Sequence, residues 1–186
     1  MQYSTTYFIL FIAFLAPFPD LTHSIAAQDD LKAAVGESIE HQFSDLTELS
    51  DKIWSYEEIA FQETQSAEAL KEYARANGFR IEENIGGMPT AFTAEFGSGK
   101  PVIGILGEFD ALPGLSQETV PHKQPLHEGS AGHGCGHNLF GTASLGAATA
   151  IKELIESGDL GGTIRFYGTP AEERFFGKLW MIRAGA

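Results

Sequence analysis

Three short stretches of this chain concentrate side chains that could do chemistry. The first is Gly107-Glu108-Phe109-Asp110-Ala111-Leu112-Pro113, at the end of an apolar run. If the run is a strand, period-two spacing aims Glu108 and Asp110 the same way. Two carboxylates side by side repel and need a cation or a proton between them. The second is Gly132-His133-Gly134-Cys135-Gly136-His137-Asn138, a dense set of soft metal ligands on a glycine-rich backbone that lets them converge. The third is Thr169-Pro170-Ala171-Glu172-Glu173. There one Glu could bind a metal while its neighbour accepts a proton from water activated by that metal. Each has a plainer reading on its own: a solvated strand end, a buried cysteine or a Cys/His nucleophile pair, and an acidic helix start.

The elements around these stretches favour one site. Gln28 to about Tyr56 has Ile39, Phe43, Leu46 and Ile53 at helical spacing, and Gln65–Asn77 repeats the pattern with Ala67, Leu70, Tyr73 and Ala74 before Gly78. Phe79–Ile85, Ala91–Phe96 and Val102–Phe109 read as strands. Gly97-Ser98-Gly99-Lys100 reads as a hairpin turn between the second and third. Val102–Leu106 does not alternate, as expected of a strand covered on both faces. Pro113 to Gly136 shows no period and is expected to be a functional loop. Leu139–Glu156 reads as a helix, Gly162–Gly168 as a strand and Phe175–Ala184 as the start of another helix. Strand, loop, helix, strand is a crossover between parallel strands, and ligands gather beyond the C-terminal ends of such strands. All three chemical stretches fall there.

Composition limits the choices. The chain has 186 residues, 12 Lys+Arg against 25 Asp+Glu, and a net charge of −13, which disfavours nucleic acid as a partner. One cysteine excludes an internal disulfide framework. No Gly-x-Ser-x-Gly elbow appears. The run Tyr7–Phe18 is too short to span a bilayer and fits the apolar segment of a signal peptide covering residues 1–27. Residues 28–186 are then the mature part, exported to the periplasm or outside the cell, with no stable membrane anchor. Without a functional leader the protein is cytoplasmic.

Gly107–Ser116, Gly132–Asn138, Thr169–Glu173 and Trp54–Thr64 together resemble the aminoacylase/carboxypeptidase-like dinuclear metallopeptidases, in the amidohydrolase branch that uses a Cys ligand. The resemblance covers about Asp45 to Ala186. It implies an α/β fold, the three-layer α/β/α catalytic domain of zinc-peptidase type. It implies two divalent ions, Zn or Mn, with Cys135, His137 and Glu173 as metal ligands. Glu172 is implied as the general base that activates water, and Asp110 as the carboxylate that orients an imidazole ligand. Asp110 and Glu172 are thus the implied catalytic pair. His133 matches a motif position and is read as supporting. Glu108 stands where the peptidase branches carry a metal-binding His and is not assigned as a ligand. Asn138 replaces the Asp of the commoner motif. The implied reaction is hydrolysis of an amide in a small molecule: an N-acyl amino acid, an aminobenzoyl-glutamate or a dipeptide-like substrate. A homodimer or an A-type partner subunit is compatible with it. Members of the family continue past the paired Glu with further His ligands and a lid or dimerisation domain, whereas Arg174–Ala186 contains no His. The chain is therefore expected to be C-terminally truncated, without that lid. The competing expectation is an inactive binding or interaction remnant with a partial metal site.

Overall fold

The computed structural model describes residues 21–186, with side chains from residue 28 onward. The apolar run Tyr7–Phe18 lies outside the described residues. Among the described residues no helix is long and apolar enough to cross a membrane.

Helix α1 spans Leu21–Tyr56 and α2 spans Thr64–Ala76. Strands β1 (Arg80–Glu83), β2 (Phe92–Ser98) and β3 (Val102–Glu108) follow. Then come α3 (His137–Ser157), β4 (Gly162–Thr169) and two short helices, α4 (Glu172–Phe175) and α5 (Gly177–Arg183). The four strands form one sheet in the order β1-β2-β4-β3. The fold is α/β.

The core lies between the sheet and α2 and α3. Phe92, Phe109, Leu145, Ile164 and Phe166 are buried there with Leu70, Ala67 and Ala74 of α2. The stripe expected on α2 is thus the face it buries. On α1 the inward residues are Leu49 and Ile53, with the buried polar Ser38, Gln42 and Ser50. Phe43, expected on the apolar stripe, is 66% exposed. Polar contacts replace it: Tyr73 Oη donates to Gln42 Oε1 at 2.7 Å, which ties α1 to α2 through a part-buried pair. The other face of the sheet carries α5, where Met181 packs with Ile85, Met88, Ala91 and Tyr167.

β3 and β4 are parallel, with α3 as the crossover, as expected. The expected hairpin between β2 and β3 does not form. β4 lies between them, antiparallel to β2 and parallel to β3. The backbone hydrogen-bonding groups that a hairpin would have joined are satisfied by β4, and Thr163 N donates to Pro101 O at 2.9 Å. β3 is therefore an edge strand. Its apolar run is not covered on both faces: Val102, Ile103 and Leu106 are exposed. An unbroken apolar run shows that a strand can be buried, and the neighbouring elements decide whether it is.

Close packing of α3 on β3 positions the site. A Cβ on Gly141 would stand 2.5 Å from the Glu108 carbonyl oxygen, so only glycine lets the first turn of α3 reach the end of β3. Gly136 precedes the helix in the left-handed region at φ 75°, and turns the chain so that His137 begins it.

Candidate metal centre

His137 is buried at the head of α3, between the two carboxylates that end β3. Its Nδ1 lies 3.1 Å from Asp110 Oδ1 and 3.0 Å from the Asp110 carbonyl oxygen. A carbonyl oxygen only accepts, so Nδ1 carries the hydrogen and donates. On the other side of the ring, Nε2 stands 2.9 Å from Glu108 Oε2. Glu173 Oε1 is 3.8 Å and Glu172 Oε2 is 3.9 Å from the same nitrogen. In the neutral ring the Nε2 lone pair points at three carboxylates. That arrangement needs a proton on Nε2 or a cation among the oxygens.

The electrostatics follow from this packing. Burial opposes the charged form of His137, but Asp110, Glu108 and Glu173 outweigh it and raise its pKa above the ordinary value. Burial likewise raises the Asp110 carboxyl, yet the bonds from His137 and from the Glu173 N–H prevail and hold it below the usual range. Glu173 N donates to Asp110 Oδ2 at 3.0 Å, so one carboxylate fixes both the imidazole and the start of α4. Cys135 is exposed. Hydrogen bonding to Glu173 and then burial push its thiol pKa up.

These residues fit a divalent cation. Glu108, His137 and Glu172 each offer a ligand atom within 4.8 Å of the others. Glu173 Oε1 is buried without a hydrogen-bond partner and faces the same nitrogen. Unpartnered carboxylate oxygen beside an imidazole lone pair is the donor set that a zinc- or manganese-type ion takes.

The structure thus brings Asp110, His137, Glu172 and Glu173 together, with the exposed Cys135 thiol close enough for Glu173 to shift its pKa. It also brings in Glu108, which sequence reasoning set aside. Its period-two relation to Asp110 was the available signal, since the two bracket opposite nitrogens of one ring. Lys178 of α5 pairs with the other oxygen of Glu108. No motif marked Lys178. His133 lies outside the cluster: Nε2 donates to the Ile53 carbonyl at 3.1 Å, tying the loop to α1, and burial lowers its pKa. Asn138 Nδ2 donates to Ser50 Oγ at 3.0 Å and joins α3 to α1. His122 and His127 lie on the loop, away from His137. His122 pairs with Gln124, and His127 stands 3.8 Å from Glu57.

Residues 104–186 match the model of peptidase family M20/M25/M40. The chain is 46% identical to one subunit of the p-aminobenzoyl-glutamate hydrolase of Escherichia coli, over 81% of its own length and 32% of the relative's. Residues 104–186 are thus a segment of the M20/M25/M40 peptidase type. The chain is 32% identical to the mouse Xaa-Arg dipeptidase, over 89% of this chain and 37% of that protein. Among solved structures, a dinuclear metal-binding M20 peptidase of Bacillus subtilis superposes with a TM-score of 0.62 at 28% identity, covering 75% of this chain and 39% of that one. The chain therefore spans about a third of the length of the curated relatives it matches. All three motif clusters lie inside the matched segment, 104–186.

Proposed function

We propose that the protein is a metal-dependent amidohydrolase and that this chain carries one side of its metal centre. The observation that carries the reading is His137: Asp110 holds its Nδ1–H, and its Nε2 faces the oxygens of Glu108, Glu172 and Glu173. His137, Glu173 and Cys135 would hold the metal, with Glu108 as an added oxygen ligand. The dinuclear site named for the Bacillus relative supports two ions, and the thiol of Cys135 suits zinc better than manganese. When bound there, a divalent ion would supply Lewis-acid chemistry, polarising an amide carbonyl and lowering the pKa of water toward neutrality.

The residues divide the remaining work by burial. Glu173 has a side chain 13% exposed and an unpartnered oxygen, which supports a ligand role. Glu172 is 35% exposed, which leaves its carboxylate room to take a proton from water at Oε2 and pass it to the leaving amine. Asp110 keeps the imidazole in one tautomer. The substrate class is an amide next to a free carboxylate: an N-acyl amino acid, an aminobenzoyl-glutamate or a dipeptide. The names of the E. coli and mouse relatives support that range. The E. coli relative is by name one subunit of a hydrolase, which supports assembly with a second polypeptide, an A-type subunit or another copy. The apolar leader supports export, and retention of Met1 in the native protein would refute that part.

The test is Zn²⁺ or Mn²⁺ titration of the chelator-stripped protein, followed by assays on aminobenzoyl-glutamate and N-acetyl amino acids. We expect bound metal in the parent and at least tenfold weaker binding in His137→Ala. Turnover, where present, should fall about 10²-fold or more in Glu172→Gln. A parent that binds neither ion refutes the reading.

A further inference from the structure

Glu63 is fully buried, yet it belongs to none of the three chemical stretches. It stands at the N-cap of α2 and makes no side-chain cap there. Glu58 takes that role instead: its Oε1 accepts from Gln65 N at 3.0 Å and its Oε2 from Ser66 N at 2.8 Å. The Glu63 carboxyl is therefore free to reach away from its own helix. Its Oε1 accepts the N–H of Ala171 at 2.8 Å, and its Oε2 lies 3.2 Å from Thr90 Oγ1. The segment that presents it is anchored beside the site, because Ile59 bridges to Ala111 and Ala111 N donates to Glu58 O at 2.8 Å.

Ala171 is the residue immediately before the Glu172–Glu173 pair. It is buried and sits at φ 58°, ψ 35°, in the left-handed region that favours glycine. Such a conformation in a residue with a Cβ persists only where its surroundings impose it. Two bonds do so here. Asp110 accepts from Glu173 N at 3.0 Å on one side of the turn, and Glu63 accepts from Ala171 N on the other. Without Glu63 the Ala171 N–H would be buried with no acceptor.

We propose that Glu63 is a positioning residue of the metal centre: by accepting the Ala171 N–H it holds the left-handed turn that aims Glu172 and Glu173 at His137. The proposal rests on the reading of that pair as part of a cation site, and it extends the site to the α1–α2 connector.

Zn²⁺ affinity, measured by competition with a chromophoric chelator, tests the proposal on the chain as it stands. Glu63→Gln keeps an acceptor for Ala171 and should stay within about threefold of the parent. Glu63→Leu removes both polar atoms and should weaken Zn²⁺ binding at least tenfold. Adding Ala171→Gly to Glu63→Leu should recover much of that loss, because glycine adopts the turn without a clamp. A carboxyl that merely filled the core would not be rescued this way. Leu154→Ala, at the far end of α3, should lower the melting temperature and leave Zn²⁺ affinity unchanged. Parent-like affinity in Glu63→Leu, or no recovery with Ala171→Gly, overturns the proposal. If Glu63→Leu does not fold, Glu63→Asp takes its place, with a carboxylate one methylene short of the turn and the same expected loss. Amide hydrogen exchange at Ala171 in metal-free protein separates this idea from the metal reading. A protected amide in the parent that exchanges at least tenfold faster in Glu63→Leu or Glu63→Asp upholds the clamp even if Zn²⁺ does not bind. An unprotected parent amide overturns it.

Discussion

Replacing Glu63 by Gln should change how stability depends on pH, and the size of the effect follows from its burial. Burial pushes the Glu63 carboxyl from 4.5 up to about 7; the backbone N–H groups around it work against the rise, and the charge of Asp110 adds to it. In the unfolded chain the group ionises near its ordinary value, so the folded state keeps the proton longer. Below the unfolded pKa both states are protonated and the linkage costs nothing. As pH rises toward 7 the unfolded state gains from ionising while the folded state cannot, and stability is lost. Above about 7 both are ionised and the loss is constant. At about 1.4 kcal/mol per pH unit, the whole loss is of order 3 kcal/mol, and about 2 kcal/mol of it falls between pH 5.5 and pH 8. Glu63→Gln resembles the protonated carboxyl, with an acceptor for Ala171 N and a donor for Thr90 Oγ1, and it cannot ionise. The assay is urea denaturation of metal-free parent and variant at pH 5.5 and pH 8, clear of the isoelectric range of so acidic a chain. The variant should gain about 2 kcal/mol on the parent across that interval. Stability curves that stay parallel within about 0.5 kcal/mol would refute the assignment of a raised pKa to this burial.

Three further outcomes are expected. Iodoacetamide should modify the exposed Cys135 in metal-free protein, and saturating Zn²⁺ should slow the reaction at least tenfold; an unchanged rate would remove Cys135 from the ligand set. Lys178→Met deletes the cation paired with Glu108 and should strengthen Zn²⁺ binding by about 1 kcal/mol, roughly fivefold at this partly exposed position, as read by chelator competition. Equal or weaker binding would mean that Glu108 does not face the ion. Phe166→Ala empties a fully buried site between Phe92 and α3 and should cost about 3–5 kcal/mol in chemical denaturation, whereas a loss below about 1.5 kcal/mol would mean that the core closes around the gap.

The chemistry of this protein is written locally. Cys135, His137, Glu172 and Glu173 lie in short motifs, and the strand–helix–strand order around them was enough to expect one rim of one sheet. The period-two spacing of Glu108 and Asp110 already placed both on one side of β3, where they bracket the two nitrogens of His137. Residue type, spacing and periodicity act over a few residues, so a linear reading reaches them. Other features depend on partners far away along the chain. β4 entering between β2 and β3 replaced the expected hairpin and left Val102, Ile103 and Leu106 at an edge. Strand pairing uses backbone groups that every residue carries, so no side chain announces which strand will pair with which. Glu63 and Lys178 have the same origin. A buried carboxyl 108 positions from the N–H it accepts, and a lysine 70 positions from its glutamate, look in the sequence like ordinary solvated charges. They acquire a role only when the fold sets each beside a partner distant in the chain.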